Sequence, residues 1–429
     1  MKHLIFVSIL VLLIASAFSA GPAYVIKGAK IVPVSGHVIE KGSVVILDGN
    51  IVEVGRQVSR IPPGAVVIDA SGLVVYPGLF DCNTMLGLTE VGQVSATNDY
   101  SEMGRFMPHL LAFSAIHVES EHIPVARANG ITHVLTCPRG ERIAGQAAII
   151  SLDGWTPEEM EISRKAALMI NYPAQPGLSP SARRLSGRFG RPARPYSELK
   201  KEYETEIQQL KLFVEKARHY LKARETASGP AFGVDPQLEG MIPALKGQEP
   251  VILSASRAAD IKAAVNFARE EKFNYLLYSG GEVWKVVDFL KETQTKVILG
   301  PLDIMPEDDA ATDIVCRTPA LLHEKGVPFA ISTSDSADSR NLPYQAGMAV
   351  AYGLPYEAAL RAVTLTPAEL LGVAGKVGSI EAGKKANLVV AAGDLLDYQA
   401  QIRYVFINGR PVSLENRHLR LYEKYKNRK

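Results

Sequence analysis

An excess of charge of one sign is missing from this 429-residue chain, in which 47 lysines and arginines stand against 45 aspartates and glutamates for a net of +2. No global field then concentrates nucleic acid or an acidic surface, so nucleic acid is a poor default partner. Cysteine is scarce. Cys82, Cys137 and Cys316 form an odd set without a C-x-x-C pair, which leaves at least one thiol unpaired or bonded to another chain and gives no zinc-ribbon spacing. Isolated thiols in apolar strand-like runs serve as small core residues. The chain also lacks a G-x-S-x-G elbow, a Walker A loop and a dinucleotide fingerprint, and with them the usual signatures of serine-hydrolase, nucleotide and NAD chemistry. No repeat or low-complexity tract divides it.

What is present in quantity is apolar bulk. A hydrophobic content of 47% supports one large domain or two to three ordinary ones. Met1-Lys2-His3 is a basic start, residues 4–13 are apolar, and small residues follow at Ala15-Ser16-Ala17 and Ser19-Ala20-Gly21. That pattern reads as a signal peptide over 1–20, directing export to a periplasmic or extracellular space, with an uncleaved anchor as the alternative.

Residues 24–75 read as short strands broken by turn signals, Asp48-Gly49 and Pro62-Pro63-Gly64 among them. A second strand cluster lies at the far end, at 388–390 and 403–407, with Asn408-Gly409 as its turn. The two clusters together form a small β-sandwich built from both chain ends, over 21–76 and 378–415. Between them, over 77–377, strands alternate with helix-like segments, which implies a parallel sheet. Strands are expected at 78–83, 132–136, 167–170, 251–253, 275–278, 297–299 and 328–331, with an ill-defined one near 230–234. This is most of a (β/α)8 TIM-like barrel, an α/β architecture. After 251–253, Ile261, Ala264, Val265 and Ala268 mark the buried face of a covering helix, leaving Asp260, Lys262, Arg269 and Glu270 for solvent. Gly145-Gln146 and Gly154-Trp155 read as loop and packing features. A basic insertion around 179–196 precedes a charged helix over 197–224, and 416–429 is a basic C-terminal tail.

Val75-Tyr76-Pro77-Gly78-Leu79-Phe80-Asp81 resembles the lead-in to the first barrel strand of the amidohydrolase superfamily, in its imidazolonepropionase-like branch. Thr366-Pro367-Ala368-Glu369-Leu370-Leu371-Gly372, Val377-Gly378-Ser379-Ile380-Glu381-Ala382-Gly383-Lys384 and Ala386-Asn387-Leu388-Val389-Val390 are similar to its return into the sandwich. The resemblance extends over nearly the whole mature chain. It implies a metal-dependent hydrolase of non-peptide, cyclic-amide C–N bonds.

The same resemblance marks departures. Relatives follow the Asp with His-x-His, whose imidazoles reach one metal at the C-terminal mouth of the barrel; here those positions hold Asn83 and Met85. The histidines ending the fifth and sixth strands correspond to Ser254 and Ser279, and no acid or lysine aligns on the fourth strand. Asp335, in Ser332-Thr333-Ser334-Asp335-Ser336, matches the family's metal-binding Asp and proton acceptor. It reads either as a remaining catalytic base or as a carboxylate held by mouth amides and hydroxyls, and Asp81 admits the same two readings. His109, His117 and His122 with Glu121 converge only if their loop folds over the mouth, and His133 falls on a barrel strand as a core residue. The expectation is a degenerate amidohydrolase with Asp81, Asn83, Met85, Ser254 and Ser279 in one polar cleft. It binds a small polar molecule or an amidohydrolase-like partner subunit and has no expected cofactor. The alternative is an active hydrolase with an atypical or single-metal site, zinc or another divalent ion, that uses Asp335.

Overall fold

A computed structural model describes residues 22–59, 61–176, 194–226, 233–306 and 310–428. The segment over 1–20, expected to be a signal peptide, and most of the basic insertion lie outside the described residues.

Strands β1 (Tyr24–Ile31), β2 (Ile39–Leu47), β3 (Asn50–Gly55), β4 (Val66–Asp69) and β5 (Val74–Pro77) come from the start of the chain. They pair with β14 (Leu388–Ala392), β15 (Gln401–Ile407) and β16 (Arg410–Val412) from its end. The expected sandwich is realised as one hydrogen-bonded sheet of eight strands around its own core of Ile26, Ile31, Val44, Ile46, Val390 and Phe406. Both hairpin dipeptides adopt the left-handed conformations that a tight turn requires, with φ of 50° and 80° at Asp48 and Gly49 and 48° and 78° at Asn408 and Gly409. The two tips touch. A Cβ on Gly409 would lie 2.5 Å from the Gly49 Cα, so the contact admits only glycine there.

The second sheet runs β13-β12-β11-β10-β9-β8-β7-β6. Its strands are β6 (Leu79–Thr84), β7 (Ile131–Thr136), β8 (Ile143–Ser151), β9 (Glu161–Asn171), β10 (Val251–Ser254), β11 (Tyr275–Ser279), β12 (Val297–Leu299) and β13 (Phe329–Ile331). Period-two alternation divides their side chains. Leu135, Ile149, Met169, Ile252, Leu276, Ile298 and Ala330 meet inside the barrel, where Ala368, Leu371, Val373 and Val377 join them. Leu168, Val251, Leu253, Leu277, Val297 and Ile331 face the helical layer.

The sheet is mixed, which corrects the parallel sheet expected from the alternation. β8 runs antiparallel to both β7 and β9, and it contains Gly145 and Gln146, expected in a loop. Its run Ile-Ala-Gly-Gln-Ala-Ala-Ile-Ile-Ser is buried at every position, so no polar alternation reveals it. Of the strand expected near 230–234, residues 230–232 lie outside the described ones, and 233–235 carry no regular structure before the short helix Pro236–Glu239. The helix Ala258–Glu270 buries Ile261, Ala264, Val265 and Ala268 as expected, but Asp260 is buried with them. Its carboxylate accepts from the Gln175 N–H (2.8 Å) and from Arg257 Nε (2.8 Å), which removes it from solvent. All three cysteines are buried and free.

His133, on β7, joins the two units. Asn387 accepts the Asn408 N–H at Oδ1 (2.6 Å), which leaves its Nδ2 to donate to His133 Nε2 (2.6 Å). The His133 Nδ1–H then donates to Thr132 Oγ1 (2.7 Å), so the ring is needed neutral. Burial pushes its pKa down to about 3. The unfolded chain therefore binds a proton below about pH 6.5 that the folded chain refuses, and stability from this group is lost as pH falls from there towards 3. The loss is at most about 1.4 kcal/mol per pH unit. Glu249, whose carboxyl burial pushes up to about 7, acts oppositely, losing stability as pH rises from its ordinary range through 7. Comparison with a variant separates them: between about pH 7 and about pH 4, urea denaturation is expected to show wild type losing stability relative to His133→Gln. A pH-independent difference would remove His133 from this role.

Candidate functional site at the barrel mouth

The sheet path ends at β13 and β6, and no backbone ladder joins these strands among the described residues. The Asp81 side chain spans the seam instead. Its Oδ1 accepts from Ser332 Oγ (2.7 Å) and the Thr333 N–H (3.2 Å), and its Oδ2 from Thr333 Oγ1 (2.5 Å) and Ser339 Oγ (3.2 Å). Burial raises the Asp81 pKa, against the pull of the Thr333 and Ser332 donors. Ser332 Oγ also reaches the Asn83 carbonyl (2.7 Å). Thr84 Oγ1 donates to the Asp335 carbonyl (2.6 Å) and meets Ser339 Oγ at 2.8 Å.

Asp335 belongs to this cluster mainly through its backbone. Its Oδ1 accepts the N–H groups of Ala337 (2.8 Å) and Asp338 (3.1 Å), so the carboxylate caps the turn that follows. Ser334 before it holds φ of 63°, a conformation uncommon outside glycine. Asn83 is fully buried, and neither atom of its side-chain amide has a hydrogen-bond partner. β6 gains one residue against β7 between Asp81 and Thr84, so Asn83 lies in a bulge. Met85 follows, partly buried.

The other wall is arranged differently. Ser254 ends β10 in the inward phase set by Ile252, beside Asn171 and Tyr278 in register. Ser279 does not share that phase. It alternates with the outer-layer Leu277, and its Oγ accepts the Gly281 N–H (3.3 Å). Tyr278 takes the inward position on β11, packed against the barrel interior. Among the described residues no hydrogen bond links Ser254 or Ser279 to the Asp81 cluster. The fourth-strand end that sequence could not align is Asn171, whose Nδ2 donates to the Gly140 carbonyl (2.7 Å).

The loop histidines do not assemble. His117 lies 3.9 Å from Glu90 and is mostly exposed, His122 Nε2 contacts the Glu90 carbonyl (2.9 Å), and Glu121 pairs with Arg420. Among the described residues no group of three or more His, Cys, Asp or Glu side chains is placed to hold a metal ion. Sequence reasoning missed Ser332, Thr333 and Ser339, the donors to Asp81, and Arg139 and Tyr278 at the mouth. The signal for Arg139 was its place in Cys137-Pro138-Arg139-Gly140, just after a strand.

An amidohydrolase from Thermotoga maritima MSB8 has the same architecture, with a TM-score of 0.78 and 26% identity over 91% of this chain and 99% of that one. Residues 287–412 match the model of the amidohydrolase family. In sequence and in fold the chain is therefore similar to the amidohydrolases. Among curated relatives, amidohydrolase tasK of Hapsidospora irregularis is 25% identical over 411 residues, which cover 88% of this chain. The chain spans only 41% of that protein's length. Imidazolonepropionase of Thermoplasma acidophilum is 31% identical over 123 residues, 28% of each chain. A prolidase crystallised with n-methylphosphonate-l-proline shares the fold, with a TM-score of 0.55 and 18% identity over 91% of this chain and all of that one.

Within this amidohydrolase fold, Asp81 is expected to act first on stability. Asp81→Ala leaves the Ser332, Thr333 and Ser339 donors without their acceptor, at a cost of roughly 3 kcal/mol or more, and Asp81→Asn, which keeps one acceptor oxygen, loses about half of that. Urea denaturation measures both. A loss below about 0.5 kcal/mol in the alanine variant would show that the seam does not depend on this carboxyl.

Proposed function

We propose that the protein is a degenerate amidohydrolase, a barrel that binds a small polar molecule at its mouth without metal-dependent turnover. The observation that carries this reading is the donor set. At the positions where the resemblance puts imidazoles stand an amide (Asn83), a thioether (Met85) and two hydroxyls (Ser254 and Ser279). The two nearby carboxyls are already engaged, Asp81 by three hydroxyls and two amides, Asp335 by two amides of its own turn. Zinc sites normally take at least three nitrogen, sulfur or carboxylate ligands, and a thioether suits neither hard nor borderline cations. A divalent ion does not fit these residues. Neutral and charged hydrogen-bonding groups at one end of a barrel support recognition of a small polar ligand instead.

Elemental analysis of protein purified without chelator tests the reading, with less than about one transition metal expected per chain. Stoichiometric zinc, manganese or iron that is lost on substituting Asp335 would overturn it in favour of a hydrolase with an atypical site.

A further inference from the structure

Arg139 stands at the mouth end of β7. Its main-chain N–H donates to the Tyr100 carbonyl (2.7 Å), and its Nη2 donates to the Ser334 carbonyl (3.3 Å). The guanidinium carbon lies 5.9 Å from the centroid of the Tyr278 ring. Arg139 is partly buried, and among the described residues no carboxylate pairs with it. A guanidinium carries five N–H donors in a fork that matches a carboxylate, and a cation drawn out of water without a counter-charge is destabilising.

Two further observations sit at the same strand ends. The Asn83 amide is fully buried, and neither of its polar atoms has a hydrogen-bond partner. Tyr278 also forms one wall of a cavity of about 260 Å³, which Trp284, Pro301, Ile304 and Met305 line with mostly apolar surface. That volume is close to the lower limit for small-molecule pockets. Arg257 at its rim already pairs with Asp260.

We infer that the barrel mouth takes a small monocarboxylate, its carboxylate held by Arg139 and its apolar or aromatic body lodged beside Tyr278 and Trp284. The inference rests on reading the mouth as a ligand-binding cleft, and it holds whether or not the protein turns its ligand over. One guanidinium balances the single charge of a carboxylate, whereas a phosphate dianion would stay half neutralised.

Isothermal titration and thermal-shift measurements on the full chain test it with benzoate, phenylacetate and hippurate, each beside its neutral primary amide, and with phenyl phosphate. At least one carboxylate is expected to bind roughly ten-fold or more tightly than its amide, and Arg139→Met to abolish that preference while changing amide affinity by less than about two-fold. Arg139→Gln serves if the methionine variant does not fold, and the carboxylate-to-amide contrast in wild type needs no variant. Failure of every carboxylate to bind folded wild type, equal affinity for acid and amide, tighter binding of phenyl phosphate, or an undiminished preference in the Arg139 variants would each overturn it. Metal in the purified protein would instead count against the metal-free reading and leave this contrast untouched.

Discussion

A sheet that curls into a barrel has to join its first strand to its last, and where no ladder forms between them both strands keep a row of unsatisfied peptide groups. In this molecule β6 and β13 meet without a ladder, and a single buried carboxyl gathers the Ser332, Thr333 and Ser339 donors across the gap. Three of the four donors that cross the gap are side-chain hydroxyls, which rotate to suit the acceptor. The seam is thereby satisfied by chemistry specific to a few residues rather than by the repeating backbone. Position and acceptor oxygens of Asp81 both matter to it, since an apolar residue would strand the hydroxyls in a water-free place.

That constraint extends to the mouth. Thr84, Ser339 and the Asp335 carbonyl complete the same network, so the end of β6 and the loop after β13 are fixed with respect to each other. The Asp335 carboxylate shapes the turn that follows, while Ser334 turns its carbonyl towards Arg139. A residue three positions from Asp81 and a guanidinium from the neighbouring strand are therefore placed by one set of hydrogen bonds. Rigid placement of polar groups on strand ends is what a recognition site needs, and here the supporting shell is shared with the closure of the barrel.

Much of the fold was legible because its signals are local. Asp48-Gly49 and Asn408-Gly409 name their own turns, and Ile261, Ala264, Val265 and Ala268 name the buried face of their helix. The family resemblance then supplied the barrel. β8 escaped because its buried Ala- and Ile-rich run carries neither alternation nor charge, and its antiparallel direction depends on pairing with strands on both sides. Within the site, residue identities could be read but not their phase. Ser279 looked like a mouth residue by position along the chain, yet the alternation set by Leu276 gives the inward place to Tyr278. The role of Asp81 was less accessible still, because its donors lie some 250 residues away in sequence and hydroxyl-rich loops have no fixed spacing.

The touching turns of Gly49 and Gly409 carry a consequence for the order in which the molecule can be built. During synthesis β1 to β5 emerge first, but β14, which pairs with β5, is encoded more than 300 residues later. Until it arrives β5 has an open edge, the kind of surface that pairs with the wrong partner when left waiting. The barrel, by contrast, holds its strands between β6 and β13 and has all of them once residue 331 is made. Long-range pairing of this sort slows folding. A ribosome pausing in the last hundred codons would expose β5 and its apolar neighbours longest, so chaperone capture of nascent chains should concentrate there.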